Sequence, residues 1–532
     1  MLGWFEKEWD LAHVAPPWGD RPSIYEHIRA HVTPTRPGLT AGGDSLPDDE
    51  KVWSKSRVRW VAGGLDGALG AHGGPGEKRN AAASVFGSLK RATRVASVTN
   101  LQRLYDSVAT NATIDYVDPF LELLVNDATL QTGRVHQFAK WFAQTAPDRE
   151  VVKWALATLG VVSRDEVDLL VTFGRHEEFT LYAVVAVKNS ASHPGRVMWE
   201  LARQVKGWGR IHAIEHLAGT EDSEIKRWML REGYDNSIML EYTALTCATS
   251  GGLLEALSEE AVDDELLKGA GEIIDALIAG DGGPATGISD YTDGATTVDA
   301  YLGHVLRRQG TLEQFLVVDG IRRMCTDTER DWSVLAGYGW TPERREEIHR
   351  QAERFLDREH WKTVATTGLE SPDTSVFETA VRAARTLGID TWDHQFRRLL
   401  AGEDRWYWVM QTDDDERVER AIALALERIP LTEIATGPGD ELGLGPAFRH
   451  HSQLDFIVQD LKRFPGKGLA LVHTALRSPV IRNRNMALNA LAAWGEWRWG
   501  PDTRPLLEAA LKDEPVDDVR ERIGKVLAGQ SF

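Results

Sequence analysis

A short helical frame recurs along this chain, and it constrains the fold more than any other feature. Three segments carry it at nearly constant spacing: 178–187, 209–217 and 240–248. Their central alanines, Ala183, Ala213 and Ala244, stand 30 and 31 residues apart. The frame returns at 483–491 around Ala487 and at 519–527 around Ile523, with looser copies at 379–387 and 418–426. A small central residue lets a neighbouring helix approach closely, and apolar residues three and four positions later fill the interface behind it. An Arg near the start can bond to a neighbouring loop or a preceding acid. A unit of this size cannot bury its apolar face alone, so copies must stack.

The rest of the pattern agrees. From about residue 48 onward, apolar residues recur at three and four rather than two. Val52, Trp53, Val58, Trp60, Val61, Leu65 and Leu69 open the series, and 134–145 and 149–159 continue it. The intervening gaps are short and rich in Gly, Asp, Ser and Pro, and no convincing alternating strand is present. These residues predict an all-α chain. The framed segments look like the second helices of HEAT repeats, and the chain resembles HEAT/armadillo-type α-solenoids, most clearly over 150–257 and 375–530. The resemblance implies a right-handed α-solenoid of stacked antiparallel helix pairs, in two blocks.

Four regions are expected. Residues 1–47 form an irregular Pro-rich segment, in which only 23–31 reads as helix, with Pro22 and Ser23 at its start. The first helical-repeat block spans 48–278. A loop at 279–300, rich in Gly, Thr and Asp, marks the boundary, and the second block spans 301–532. Another Gly/Pro-rich loop, 436–453, ends in His450-His451; long loops on solenoids often emerge from the binding face.

Charge narrows the partners. With 80 Asp+Glu against 61 Lys+Arg, the net charge is −19. Such a surface repels phosphate backbones and anionic lipid, so non-specific nucleic-acid binding and membrane binding are not expected. The amino terminus shows no basic stretch followed by an apolar run, and no segment approaches the roughly 20 apolar residues of a membrane span. Cys247 and Cys325 both sit in apolar surroundings, as core thiols do. A cytoplasmic protein is expected.

The sharpest local motif is His212-Ala-Ile-Glu215-His216, an H-x-x-E-H sequence. On a helix, His212 and His216 share one face at the spacing of two zinc ligands, with Glu215 placed as a general base. The plainer account puts His216 in the small-residue slot of the repeat and His212 and Glu215 towards solvent. A second metal reading follows from a resemblance to HEAT-repeat hydroxylases of the deoxyhypusine type, which hold two irons with His-Glu dipeptides. Here His176-Glu177 has that order, while Glu26-His27, Glu215-His216 and Glu359-His360 are reversed. The plainer account makes His176 a cap for the helix that follows. Iron or zinc held by His176, Glu177, His212, Glu215 and His216 is thus the enzyme alternative; otherwise no cofactor is expected.

Tryptophan is abundant, at 19 against 15 Phe and 10 Tyr. HEAT-like DNA glycosylases use Trp and Tyr to face alkylated bases, but the acidic balance opposes that reading. Trp154, Trp199, Trp208 and Trp228 fall within the repeats and should fill space between helices. Trp4, Trp9 and Trp18, and the group Trp494, Trp497 and Trp499, lie towards the ends, where they can cap the stack or meet a partner. Walker, G-x-S-x-G and H-E-x-x-H motifs are absent. Repetition without a convergent catalytic set points to a non-catalytic scaffold or adaptor for protein partners. Its anchors are expected at Arg482, Arg484, Trp497 and Trp499, residue types common at interface hot spots.

Overall fold

The computed structural model describes residues 11, 15–33, 37–54, 59–72, 78–95, 97–283 and 285–530. Among them the fold is all-α, with two isolated β-bridges and no strand. The chain divides into two compact units, 1–358 and 359–532. The division falls after Arg358, whereas the sequence suggested 279–300. That segment lies inside the first unit because it is pinned there. Asp281 accepts from Ser289 Oγ at 2.7 Å and pairs with Arg330, and the helix Gly294–Leu306 begins within it.

In the first unit, every second helix packs on the next. The series runs Arg149–Val162, Glu177–Ser190, Gly207–Glu215, Glu241–Ser250, Asp264–Gly280, Leu312–Cys325 and Pro342–Leu356. The three clearest sequence frames are consecutive members of this series. Their alanines, Ala183, Ala213 and Ala244, are fully buried. Small residues set the approach. A Cβ on Gly160 would lie 2.5 Å from the Ala186 Cα, so only glycine allows the first two helices to cross that closely. Helix starts are capped by side chains, as at Asp222, Asp263, Thr311 and Thr341.

The irregular N-terminal segment is held against this unit. Helix Ile24–His31 is capped by Ser23, and the Ile24 N–H donates to the Ala146 carbonyl at 3.2 Å. Trp18 is buried beside Tyr105 and Trp141, so it fills core rather than meeting a partner. Trp4 and Trp9 lie outside the described residues. The helical apolar spacing that Val52 to Leu69 open is only partly realised. Helices Asp49–Trp53 and Gly64–His72 form there, and between them the described residues 59–63 are not helical, with Trp60 and Val61 exposed. Gly63, at φ +67°, donates its N–H to Glu178 Oε2 at 2.9 Å, and this turn overrides the helical spacing.

In the second unit, Arg449–Leu461 packs on Ile481–Trp494, which packs on Asp517–Leu527. Leu469–Leu476 and Thr503–Asp513 run between them. The core extends from Trp392 to Val526. Asp414 caps Asp415–Arg428, accepting from the Glu416 and Arg417 N–H groups. Residues 437–441 of the Gly-rich loop are strapped along 477–481, for example by the Gly437 N–H on the Arg477 carbonyl at 2.8 Å. Both cysteines are buried and unpaired.

Candidate functional site

The anchors expected in the second unit separate into different environments. Arg484 is a correction, because only 1% of it is exposed. Its guanidinium makes a two-pronged bond to Glu514, at 2.7 and 2.8 Å, and also reaches the carbonyls of Ser478, Pro479 and Gly439. An Arg whose donors all face buried acceptors is an internal staple, closed from the surface where an anchor would stand. Trp494 is buried, and its Nε1–H donates to the Leu461 carbonyl at 2.7 Å. Trp499 is half-buried, and its Nε1–H on the Leu491 carbonyl holds the turn Glu496–Arg498. Arg482 is exposed and pairs with buried Asp455, whose carboxyl burial pushes up to about 6 against the pull of Arg482. Trp497 differs from all of these. It is 75% exposed, and the Arg498 guanidinium sits 4.1 Å above its ring. Trp497, Arg498 and Arg482 are therefore the accessible members of the cluster.

The five metal candidates lie on two neighbouring helices without converging. Glu177 begins helix Glu177–Ser190, and its carboxylate rests against Gly207 at the start of helix Gly207–Glu215. His212 and His216 lie five and nine residues beyond Gly207, about 7 and 13 Å along the axis at 1.5 Å per residue. His212 is buried, contrary to the solvent-facing expectation, because it packs beside the Trp208 ring. Glu215 is exposed and reaches the His212 Nδ1 at 3.4 Å. His216 is half-buried, its Nδ1–H donates to the His212 carbonyl at 3.0 Å, and burial lowers its pKa. Among the described residues, no three His, Cys, Asp or Glu side chains gather to hold a metal.

His176 and Glu177 instead belong to a cleft of about 390 Å³ in the first unit. Its floor is a buried ionic cluster. Arg149 and Lys153 stand four apart on helix Arg149–Val162 and so share a face. Arg149 pairs with Asp48 at 2.9 Å and Asp49 at 2.5 Å, with Glu178 at 3.6 Å. Lys153 reaches Glu178 at 2.7 Å, Asp66 at 2.8 Å and Glu150 at 3.2 Å. The Tyr182 hydroxyl donates to Asp66 at 3.0 Å. Burial alone would raise Glu178, yet Lys153 and Arg149 hold its carboxyl down to about 2. Lys153 is raised, as its acids outweigh the burial that would strip its proton. The cluster ties Asp48, Asp49 and Asp66 to the helical stack by charge.

Above this floor, three groups are not compensated in the same way. Burial, with Asp44 adding to it, pushes Glu177 up to about 7, against the Lys206 N–H and Arg210. Gly207, at φ +56°, makes room for that carboxylate, since a Cβ there would come within 2.1 Å of its oxygen. Asp44 is exposed and has no side-chain ion pair among the described residues. His176 caps its helix, with Nδ1 accepting from the Glu178 N–H at 3.2 Å. Burial lowers its pKa to about 4, so the ring is neutral and its proton sits on Nε2. The sequence signalled His176 and Glu177 as a dipeptide. Arg149 and Lys153 were missed, although two cations four apart on an otherwise apolar helix were a usable sign. Compared with known proteins, the chain matches no family model, no curated relative and no solved structure.

Proposed function

We propose that this chain is a non-catalytic interaction scaffold of the cytoplasm, built as an α-solenoid of HEAT-like antiparallel helix pairs. Stacking of every second helix along 149–356 in the first unit, and of three alternate helices along 449–527 in the second, supports the repeat reading. The buried, unpaired thiols of Cys247 and Cys325 support a reducing compartment. The observation that carries the function is Trp497. Its immediate aromatic neighbours are packed or half-packed, yet it stands 75% exposed, more than any other large apolar residue described. An exposed ring with a stacked guanidinium suits the centre of a protein interface, where Trp and Arg supply most of the binding energy.

The test compares the proteins retained by immobilised wild type with those retained by Trp497→Ala and Arg498→Glu. At least one wild-type partner should be weakened tenfold or more by both changes, which is about 1.4 kcal/mol. Retention of every partner at full affinity would refute this surface. Metal content addresses the enzyme alternative. Stoichiometric iron or zinc in native protein, lost on His212→Ala with His216→Ala, would overturn the scaffold reading.

A further inference from the structure

We propose that the first unit's cleft is a recognition site for the guanidinium or ammonium group of a peptide arginine or lysine side chain, received by Glu177, Asp44 and the Trp60 ring. This site is separate from Trp497 and does not rest on the role given to that residue.

Most charges that line the cleft already have partners. Arg149 is engaged by Asp48 and Asp49, and Arg59 by Asp49. Glu178 is held by Lys153 and by the Gly63 N–H. Among the described residues two carboxylates of the lining remain without an ion pair, Glu177 and Asp44, and Asp44 opposes ionisation of Glu177. Arg210 is the cation that works on Glu177, but its donors go to the carbonyls of Ala202, Val205 and Asp235. A cation entering the cleft would relieve the repulsion between the two acids and replace the water that Glu177 has lost.

Two further observations point to the kind of cation. Trp60 lines the cleft and is 45% exposed, which leaves an aromatic face open for a cation. Trp53, by contrast, already lies under Arg149 at 5.8 Å. His176 lines the same cleft, is 2% exposed, and its Nε2–H has no hydrogen-bond partner. The Asp44 backbone carbonyl faces that ring but closes no bond of normal geometry. A buried donor without an acceptor is costly, so a ligand that brings an acceptor is favoured. A simple inorganic cation brings none. A peptide brings both parts, a cationic side chain for the acids and a carbonyl for His176. The volume suits one such side chain with its backbone.

Titration calorimetry of the full chain tests this with two probes, butylguanidinium and an end-blocked pentapeptide with a central arginine. The peptide should bind saturably, one per chain and more weakly in high salt. Asp44→Asn and Glu177→Gln should each weaken it about tenfold or more, and Trp497→Ala should leave it unchanged. Asp44 is exposed, so its variant keeps the fold intact and reports on binding alone. Butylguanidinium binding as tightly as the peptide would replace the peptide reading with a free small cation. No saturable binding of either probe at about 10 mM, or binding indifferent to both acid variants, would overturn the site.

Discussion

Each unit of this protein buries an arginine among carboxylates, and the two arrangements have different consequences. In the second unit, Arg484 and Glu514 are both closed from solvent, and the remaining guanidinium donors end on carbonyls. In the first, Arg149 and Lys153 are neutralised in the same way, but the neighbouring Glu177, Asp44 and His176 are left over at the edge of a cleft. A fully compensated buried charge locks local structure. An incompletely compensated one leaves chemistry facing solvent, and that remainder makes a site.

The largest effect should come from removing the central cations. Lys153→Ala strands Asp66, Glu150 and Glu178 together, and Arg484→Ala strands Glu514 with its share of carbonyls. Each should cost about 3–5 kcal/mol in equilibrium denaturation, with Lys153→Ala at the upper end. A loss below about 1 kcal/mol at either position would show that the surrounding charges rearrange, and the contrast between staple and site would fail.

Tryptophan substitutions in the second unit come next. Trp494→Ala removes a buried ring and its hydrogen bond, and should cost about 3–5 kcal/mol. Trp497→Ala should stay within about 0.5 kcal/mol, as surface changes do. Equal losses would place Trp497 in the core.

A smaller effect sharpens the first unit's side of the contrast. Glu177 faces Asp44, His176, the Lys206 N–H and Arg210, and its carboxyl lies at about 7 against an ordinary 4.5. It holds its proton better folded than unfolded. Its folding contribution is therefore lost as pH rises from about 4.5 to about 7. Glu177→Gln does not titrate, so it should match wild type near pH 4 and exceed it at pH 8 by on the order of 3 kcal/mol. Thermal melts at the two pH values check this. A gap that is equal at both would mean that Glu177 is ordinarily solvated.

Much of the fold was legible. The period of three and four, the alanine-centred frames and the Ser23 helix start all depend on neighbours close in sequence, and each corresponds to a helix observed. The site was less so. Arg484 of the 483–491 frame was expected as a partner anchor, although an Arg at that place in the frame can also bond to a neighbouring loop or acid. The decisive partner, Glu514, lies 30 residues away. His212 carried the spacing of a ligand, but Trp208 on the same helix helps to bury it. The helical spacing across 52–69 failed because the Gly63 turn is held by Glu178, 115 residues on.

The sequence by itself determined that this chain is helical, repetitive and acidic, because helix period, small-residue spacing and net charge are local or additive properties. Only the tertiary structure decided which of its many charges are neutralised. That depends on distance in space between residues far apart in the chain, and on how much water their packing excludes. It is on those grounds that Arg484 became a staple, Trp497 stayed exposed, and Glu177 was left beside Asp44 with no ion pair among the described residues.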